Sequence, residues 1–529
     1  MPARLAMMAP RSRSSSPARR RKRKPPSVPP SAPSAPGRHP IREILESSPW
    51  ILPILLFLLS LGFRWVFVNA GMFHHDEVLL ARAVEASAET GRLTGYFTGR
   101  YGAVLLNLLA YLPYKAATGL GAERVVPFVA ILTGALLVGC MYLFVLEVTG
   151  RKLAAVMASL FLNFNFLFLT TSTTGKENTS QLFFAVLGLH LLLSGIARGS
   201  WPRKTAGAAA FAFSLTVHES GILLIPIAVL FLLQGLDRSR GVKELVLDTA
   251  LLLVITAIPF ALYLGDLIVA QITARNPQAL PGSTGFAGLF SPSLGIAFQD
   301  LYAITRVPLL FLAAAGIVAL VRKPLLLCPF LLWVLLIFYF GNVSSYGPRY
   351  LLVPLVPFVI LGGIGGDRIA GHVQSAYLRG AAMAGILLLV CGLGIADAYP
   401  LIRFRSNYCG PKRMAEFVRE RTEPDAIILT MDESVFIEYY AKRKVLIHPV
   451  SEDEPNRKFV EEVLALARSG KTVYVNSTAF SYDYQRHFQR LVLENFHVIP
   501  VGEVLDEDYH RPELHFATFP NRLFRIVPR

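Results

Sequence analysis

Apolar runs of roughly 20 residues, each long enough to cross a bilayer, recur along the chain from Trp50 to Ala396. A backbone in lipid has no water to bond, so such runs must become helices. The expected spans are 50–69, 124–148, 152–170, 179–197, 205–217, 221–235, 246–268, 304–321, 324–340, 350–366 and 379–397. The run from Ala103, AVLLNLLAYLPYKAATGL, suits either a span or a surface helix. Charge decides between them. If it does not span and the N-terminus is cytoplasmic, Arg151 and Lys152, Arg198, Arg203 and Lys204, Arg238, Arg240 and Lys243, Arg322 and Lys323, and Arg368 and Arg379 all fall on the cytoplasmic side. That satisfies the positive-inside tendency; a further span would reverse every one of them. The expectation is a polytopic α-helical membrane protein of about eleven spans, with 102–118 a juxtamembrane or re-entrant helix.

The chain of 529 residues is 53% apolar and 17% charged, against about 25% charged in a soluble domain. Its net charge of +16 lies largely in the N-terminal tail and the short loops. There it sets orientation, and no nucleic-acid partner is expected. Four scattered cysteines make neither a disulfide framework nor a structural zinc site. Residues 1–40 are rich in Pro, Ser and Arg, and read as a disordered cytoplasmic tail. Residues 41–398 read as the transmembrane domain, with a first outward loop at 70–123. Residues 399–529 read as an outward-facing soluble domain. There AIILT, VLIHPV, TVYVNS and FHVIPV alternate with helical stretches at 412–421, 433–441, 457–469 and 484–494. That alternation predicts a small C-terminal α/β domain with a largely parallel sheet. No glycine-rich phosphate loop follows any of these strands, which argues against a nucleotide site.

This topology gathers the unusual polar residues on the outward face. GMFHHDEVLLARAVEAS, Gly71–Ser87, follows the first span. Asp76 and Glu77 suit the start of an amphipathic helix, Val78–Thr90, closed by Gly91, where acids cap free amides. A carboxylate there also suits a general base for group transfer. His and carboxylate side chains further suit a divalent metal, although two adjacent histidines on a helix do not share a face. SSYGPRYLLVPLVP puts Arg349 at a span end, either snorkelling or clamping an anion. In TTGKENTS, Lys176 can meet phosphate and Asn178 a sugar hydroxyl. VHESG places His218 and Glu219 in a turn between two short spans.

An acidic pair after the first span, a polar outward loop after the third and PRYLLVPLVP late in the chain come in that order. The chain resembles the GT-C superfold of integral-membrane glycosyltransferases. It looks most like the bacterial group of protein O-mannosyltransferases and lipid A aminoarabinose transferases. GPRYLLVPLVP is similar to that group's RYLLPLLP-like span, HHDE to its first-loop acidic motif, and TGRKLAAVMASLFLNFNFLF to its second cytoplasmic turn and third span. The resemblance covers roughly residues 45–400. It implies an inverting transfer of sugar from a polyprenyl-phosphate carrier to a protein, glycan or lipid acceptor on the extracytoplasmic face. It implies Asp76 as base with Glu77 beside it, and Arg349 on the donor phosphate with Lys176 and His218 assisting. His75, Asn178, Glu219 and Tyr346 are then candidate sugar or acceptor contacts. The resemblance fits a bacterial inner membrane.

A lipid or polysaccharide transporter or flippase is the alternative class, and a non-catalytic scaffold of the same fold is a third. Transporters concentrate ionisable groups and broken helices at the bilayer midplane and often show internal repeats. Here the polar residues cluster at the outer interface, and no repeat is visible.

Overall fold

The computed structural model describes residues 50–93, 102–117, 119–233, 241–273, 292–341, 347–431, 433–448, 453–481, 483, 486–507 and 517–529. The expected tail at 1–40 and Tyr346 lie outside the described residues, as does the side chain of Glu219.

The protein is a multi-pass, mostly helical membrane protein. Among the described residues, five helical stretches are long and apolar enough to cross a bilayer: Ala122–Thr149, Glu177–Ala197, Leu294–Leu320, Pro348–Gly371 and Ala376–Arg421. Shorter apolar helices run over Ile51–Val66, Lys152–Asn163, Ser220–Leu233 and Pro324–Phe340. Without a hydrophobic force between helices in lipid, close approach of small residues does much of the joining. A Cβ on Gly365 would lie 1.9 Å from the Leu312 carbonyl oxygen, and one on Gly316 2.0 Å from that of Leu361. The helices Pro292–Leu320 and Leu352–Gly371 therefore pack backbone against backbone.

The helix Pro292–Leu320 is broken at Arg306, whose φ is 55°. Pro308 has no N–H to give the Ile304 carbonyl. Asn165 Nδ2 donates to that oxygen instead, at 2.7 Å. Arg306 then reaches Asp397 with two hydrogen bonds of 3.0 and 2.9 Å, fastening the break to the last long helix.

The helix His75–Thr90 ends at Gly91 as its sequence suggests but starts three residues before the expected Val78. His74 is its N-cap, and Glu77 accepts a hydrogen bond from the His74 amide. Gly91 closes it in the left-handed region, at φ 68°. Its apolar face shares one core with two partners. Val78, Leu80 and Val84 belong to one buried cluster with Val125 and Val126 and with Met414, Ala415 and Val418 of the helix Gly410–Arg421.

The C-terminal sheet has the order β2-β1-β3-β5-β4, with β1 Ile427–Leu429, β2 Lys444–Leu446, β3 Val473–Asn476, β4 Phe496–Glu507 and β5 Thr518–Pro528. This corrects the expectation of a largely parallel sheet. β1 is parallel to β2 and β3, but β5 is antiparallel to both β3 and β4. FHVIPV begins a 12-residue edge strand rather than a fourth parallel one. Its partner β5, TFPNRLFRIVP, breaks period-two alternation with Pro, Asn and Arg. The helix Ala376–Asn407 also runs unbroken through the expected boundary at 398/399.

A buried pair of acids sits at this sheet's edge. Glu433 accepts from Asn476 Nδ2 at 2.7 Å and from Asn521 Nδ2. Asp506 accepts from the Glu507 amide at 2.8 Å. Burial raises both: Asp506 goes up to about 6, and Glu433, facing it, well above the usual carboxylate range. A carboxyl held high in the fold stabilises it most below the unfolded value, near about 4. That contribution is lost as pH rises through the folded value. Hydrogen exchange of β1 and β3, corrected for intrinsic rate, is therefore expected to be slower at pH 5 than at pH 8. Glu433→Gln is expected to remove most of the difference, and equal protection at both pH values would contradict it.

Candidate active site

The site is built from the turn before the helix His75–Thr90. His74 lies in extended conformation outside the helix, while His75 begins it. The two rings therefore lie on one side, 4.2 Å apart, against the expectation that neighbouring histidines diverge. Both reach Asp76: His74 Nδ1 is 3.1 Å from Oδ2 and His75 Nε2 is 2.9 Å from Oδ1. His74 Nδ1 is also 3.2 Å from the Asp76 amide. Protonated, that nitrogen donates to the carboxylate; unprotonated, it accepts from the amide.

Burial and the Lys176 ammonium push His74 down to about 3, so this ring is neutral at physiological pH. Asp76 is only 6% exposed. Burial alone would raise it, but the hydrogen bonds from His74 and His75 outweigh that and hold it below the usual range. Asp76 is thus an ionised, nearly dry carboxylate.

Glu77 does something else. It is fully buried. One oxygen accepts from the amides of Phe73 and His74 at 2.7 and 2.9 Å, and the other from the amide of Gly175. Burial raises its pKa, while the three amides and Lys176 pull it back. Glu77 ties the HHDE turn to the TTGKEN loop. At Gly175 a Cβ would stand 2.3 Å from Val126 Cγ1, so only glycine brings its amide to Glu77 unshifted.

That tie carries the next group. Lys176 caps the helix Glu177–Ala197 and is near enough to act on both His74 and Glu77. Glu177 Oε1 faces His218 Nε2 at 3.9 Å. His218 Nδ1 meets the Ser220 hydroxyl at 2.8 Å, and Gln181 Nε2 donates to that hydroxyl at 3.0 Å. The His218 ring lies 6.4 Å from Tyr350. The Arg349 guanidinium sits 4.9 Å over the Tyr350 ring. Asn178 Oδ1 is buried with no hydrogen-bond partner among the described residues.

His75, Asp76 and Glu77 share one turn with Lys176 close to it, and Glu177, His218, Tyr350 and Arg349 follow as a chain of neighbours. Gln181, Ser220 and Tyr350 escape a reading of motifs alone. Gln181 had a signal, since it lies four residues after Glu177 on the same helix face. His74, His75 and Asp76 also bring one ligand atom each within 4.8 Å of the others. Two imidazoles and a carboxylate are a donor set able to hold zinc or a related divalent ion.

The fold is that of the GT-C membrane glycosyltransferases. Residues 115–263 match the family profile described as dolichyl-phosphate-mannose-protein mannosyltransferase. The chain is similar to ArnT from Cupriavidus metallidurans bound to undecaprenyl phosphate, at 15% identity and TM-score 0.56, over 89% of this chain and 97% of that one. ArnT in the apo state gives 14% identity and TM-score 0.57 over the same shares. The archaeal oligosaccharyltransferase AglB from Archaeoglobus fulgidus, solved with an inhibitory peptide and a dolichol-phosphate, gives 14% identity and TM-score 0.56 over 88% of this chain and 74% of that one. No curated protein matches the chain in sequence.

Proposed function

We propose that the protein transfers a sugar from a polyprenyl-phosphate carrier to an acceptor hydroxyl or phosphate on the extracytoplasmic face of a membrane, with inversion. The observation that carries this reading is an ionised, shielded carboxylate at Asp76 on a turn that Lys176 adjoins, with Lys176 and Arg349 forming a cationic arm beside His218. Asp76 takes the proton from the acceptor oxygen as that oxygen bonds to the sugar's anomeric carbon. The bond from that carbon to the phosphate oxygen breaks, and its electron pair leaves with the carrier. The cationic arm meets the charge that develops on the phosphate. Asn178 Oδ1 accepts from a sugar hydroxyl. Tyr346 and Glu219 remain proposed contacts at the same rim. Eleven spans, with Gly102–Ala116 as a surface helix, a cytoplasmic N-terminus and a bacterial inner membrane complete the proposal.

The test supplies purified protein in lipid with a panel of polyprenyl-phosphate sugars and membrane extract, and quantifies the free carrier phosphate. Arg349→Met is expected to raise the donor KM by about tenfold or more, the scale of one lost charge-assisted contact. Turnover of no carrier would refute the transferase reading. An unchanged KM would remove Arg349 from the donor phosphate.

A further inference from the structure

We propose that Arg64, a residue of the first apolar helix, is a positioning residue that sets the TTGKEN loop at the height where Lys176 meets the HHDE turn. The inference rests on the transferase reading for its kinetic arm only. Arg64 is 0% exposed, and no described carboxylate lies within ion-pair distance of it. A buried cation in a membrane span without an acid to neutralise it is costly and marks function by default.

Its hydrogen bonds say what that function is. Nε donates to the Ser172 hydroxyl at 2.7 Å. Nη1 donates to the Ser60 hydroxyl and to Asn163 Oδ1, both at 2.6 Å. The guanidinium lies 4.7 Å over the Phe168 ring. One planar fork therefore joins the first helix, the end of the helix Lys152–Asn163, the short helix Phe166–Thr171 and the loop that follows it. Asn69 Nδ2 then donates to the Thr173 carbonyl at 2.9 Å, and Glu77 takes the Gly175 amide. The segment 64–77 thus grips the loop at residues 172, 173 and 175, immediately before Lys176.

A residue kept only for packing would not need this charge. A lysine could supply the charge but not the fixed fork that reaches Ser172 and Asn163 together. Arg64 Nη2 and Asn163 Nδ2 make no further hydrogen bond among the described residues. The network is therefore incompletely satisfied, at a cost that burial makes steep. Its retention fits a part kept for geometry rather than for stability.

The experiment measures hydrogen exchange over 166–181 and carrier turnover in the full-length protein in lipid. Arg64→Gln and Arg64→Lys are expected to speed exchange at 172–176 while β3 stays protected. They are expected to lower kcat by about a hundredfold, the scale of a small misplacement of reacting groups. Donor KM is expected to stay within about threefold, since Arg349, which lies outside this loop, still meets the donor phosphate. Added guanidinium is expected to restore part of the kcat of Arg64→Ala, which lost packing alone would not allow. Loop exchange and kcat both at wild-type level would overturn the proposal. If Arg64 variants do not fold, Ser172→Ala decides alone, with faster loop exchange and lower kcat supporting the proposal and wild-type values refuting it. Should the wild type turn over no carrier, the transferase reading fails, and the exchange result still judges Arg64.

Discussion

Asp76→Asn is expected to leave carrier turnover about a thousandfold below wild type, within the range that a positioned general base contributes. The amide fills the same space, and its nitrogen no longer accepts from His75 or His74, so the loss should come without unfolding. Circular dichroism and the exchange of residues 73–90 are expected to match wild type. The pH profile carries a second part of this expectation. A base works when deprotonated, and Asp76 is held below the usual carboxylate range. Lowering the pH from 7 to 5 should therefore not reduce kcat/KM through Asp76. An acid limb centred near pH 6 that disappears in Asp76→Asn would show that Asp76 is not held low. Turnover unaffected by the substitution would make the carboxylate an anchor for the two histidines and nothing more.

Glu77→Ala is expected to be the most damaging single change to the site's structure. It leaves three buried or part-buried amides, those of Phe73, His74 and Gly175, without their acceptor. Each such loss costs about 1–3 kcal/mol, so the total is at least about 3 kcal/mol. Because the helix His75–Thr90 shares a core with Gly410–Arg421, the damage should reach the C-terminal domain. Faster exchange at 73–76 and 172–176, a lower unfolding temperature and loss of turnover are expected together. Glu77→Gln keeps one carbonyl oxygen and should sit between the two. Wild-type exchange at Gly175 in Glu77→Ala would show that the tie is dispensable.

These two neighbours look alike in sequence and differ in structure, which shows where a sequence can be read and where it cannot. The membrane helices were legible because lipid forces a long apolar run into one conformation. The helix His75–Thr90 was legible at its end, where Gly91 is a local stop, while its start lay three residues earlier than read because His74 is the cap. The division of labour between Asp76 and Glu77 was not, since it depends on Gly175, 98 residues further on. Arg64 was hidden for a related reason. A single arginine near the end of an apolar run reads as a snorkelling side chain, and only the fold shows that it points inward. In the C-terminal domain the parallel strands were read from their apolar runs, whereas β5 was missed because its side chains do not alternate.

The segment just before the HHDE turn has one more set of neighbours. The Ala70 amide donates to the Arg405 carbonyl at 2.8 Å, and Cys409 Sγ donates to the Met72 carbonyl at 3.2 Å. The Arg405 guanidinium lies 5.2 Å from the centre of the Phe73 ring and is itself held by Glu507, at 2.6 and 3.1 Å. A ribosome making this chain delivers the HHDE residues early, and their supports more than three hundred residues later. During synthesis the membrane helices are in place before the turn has its final shape. The hydrogen-bonded shape of this turn is therefore complete only once residues 405–409 have reached it.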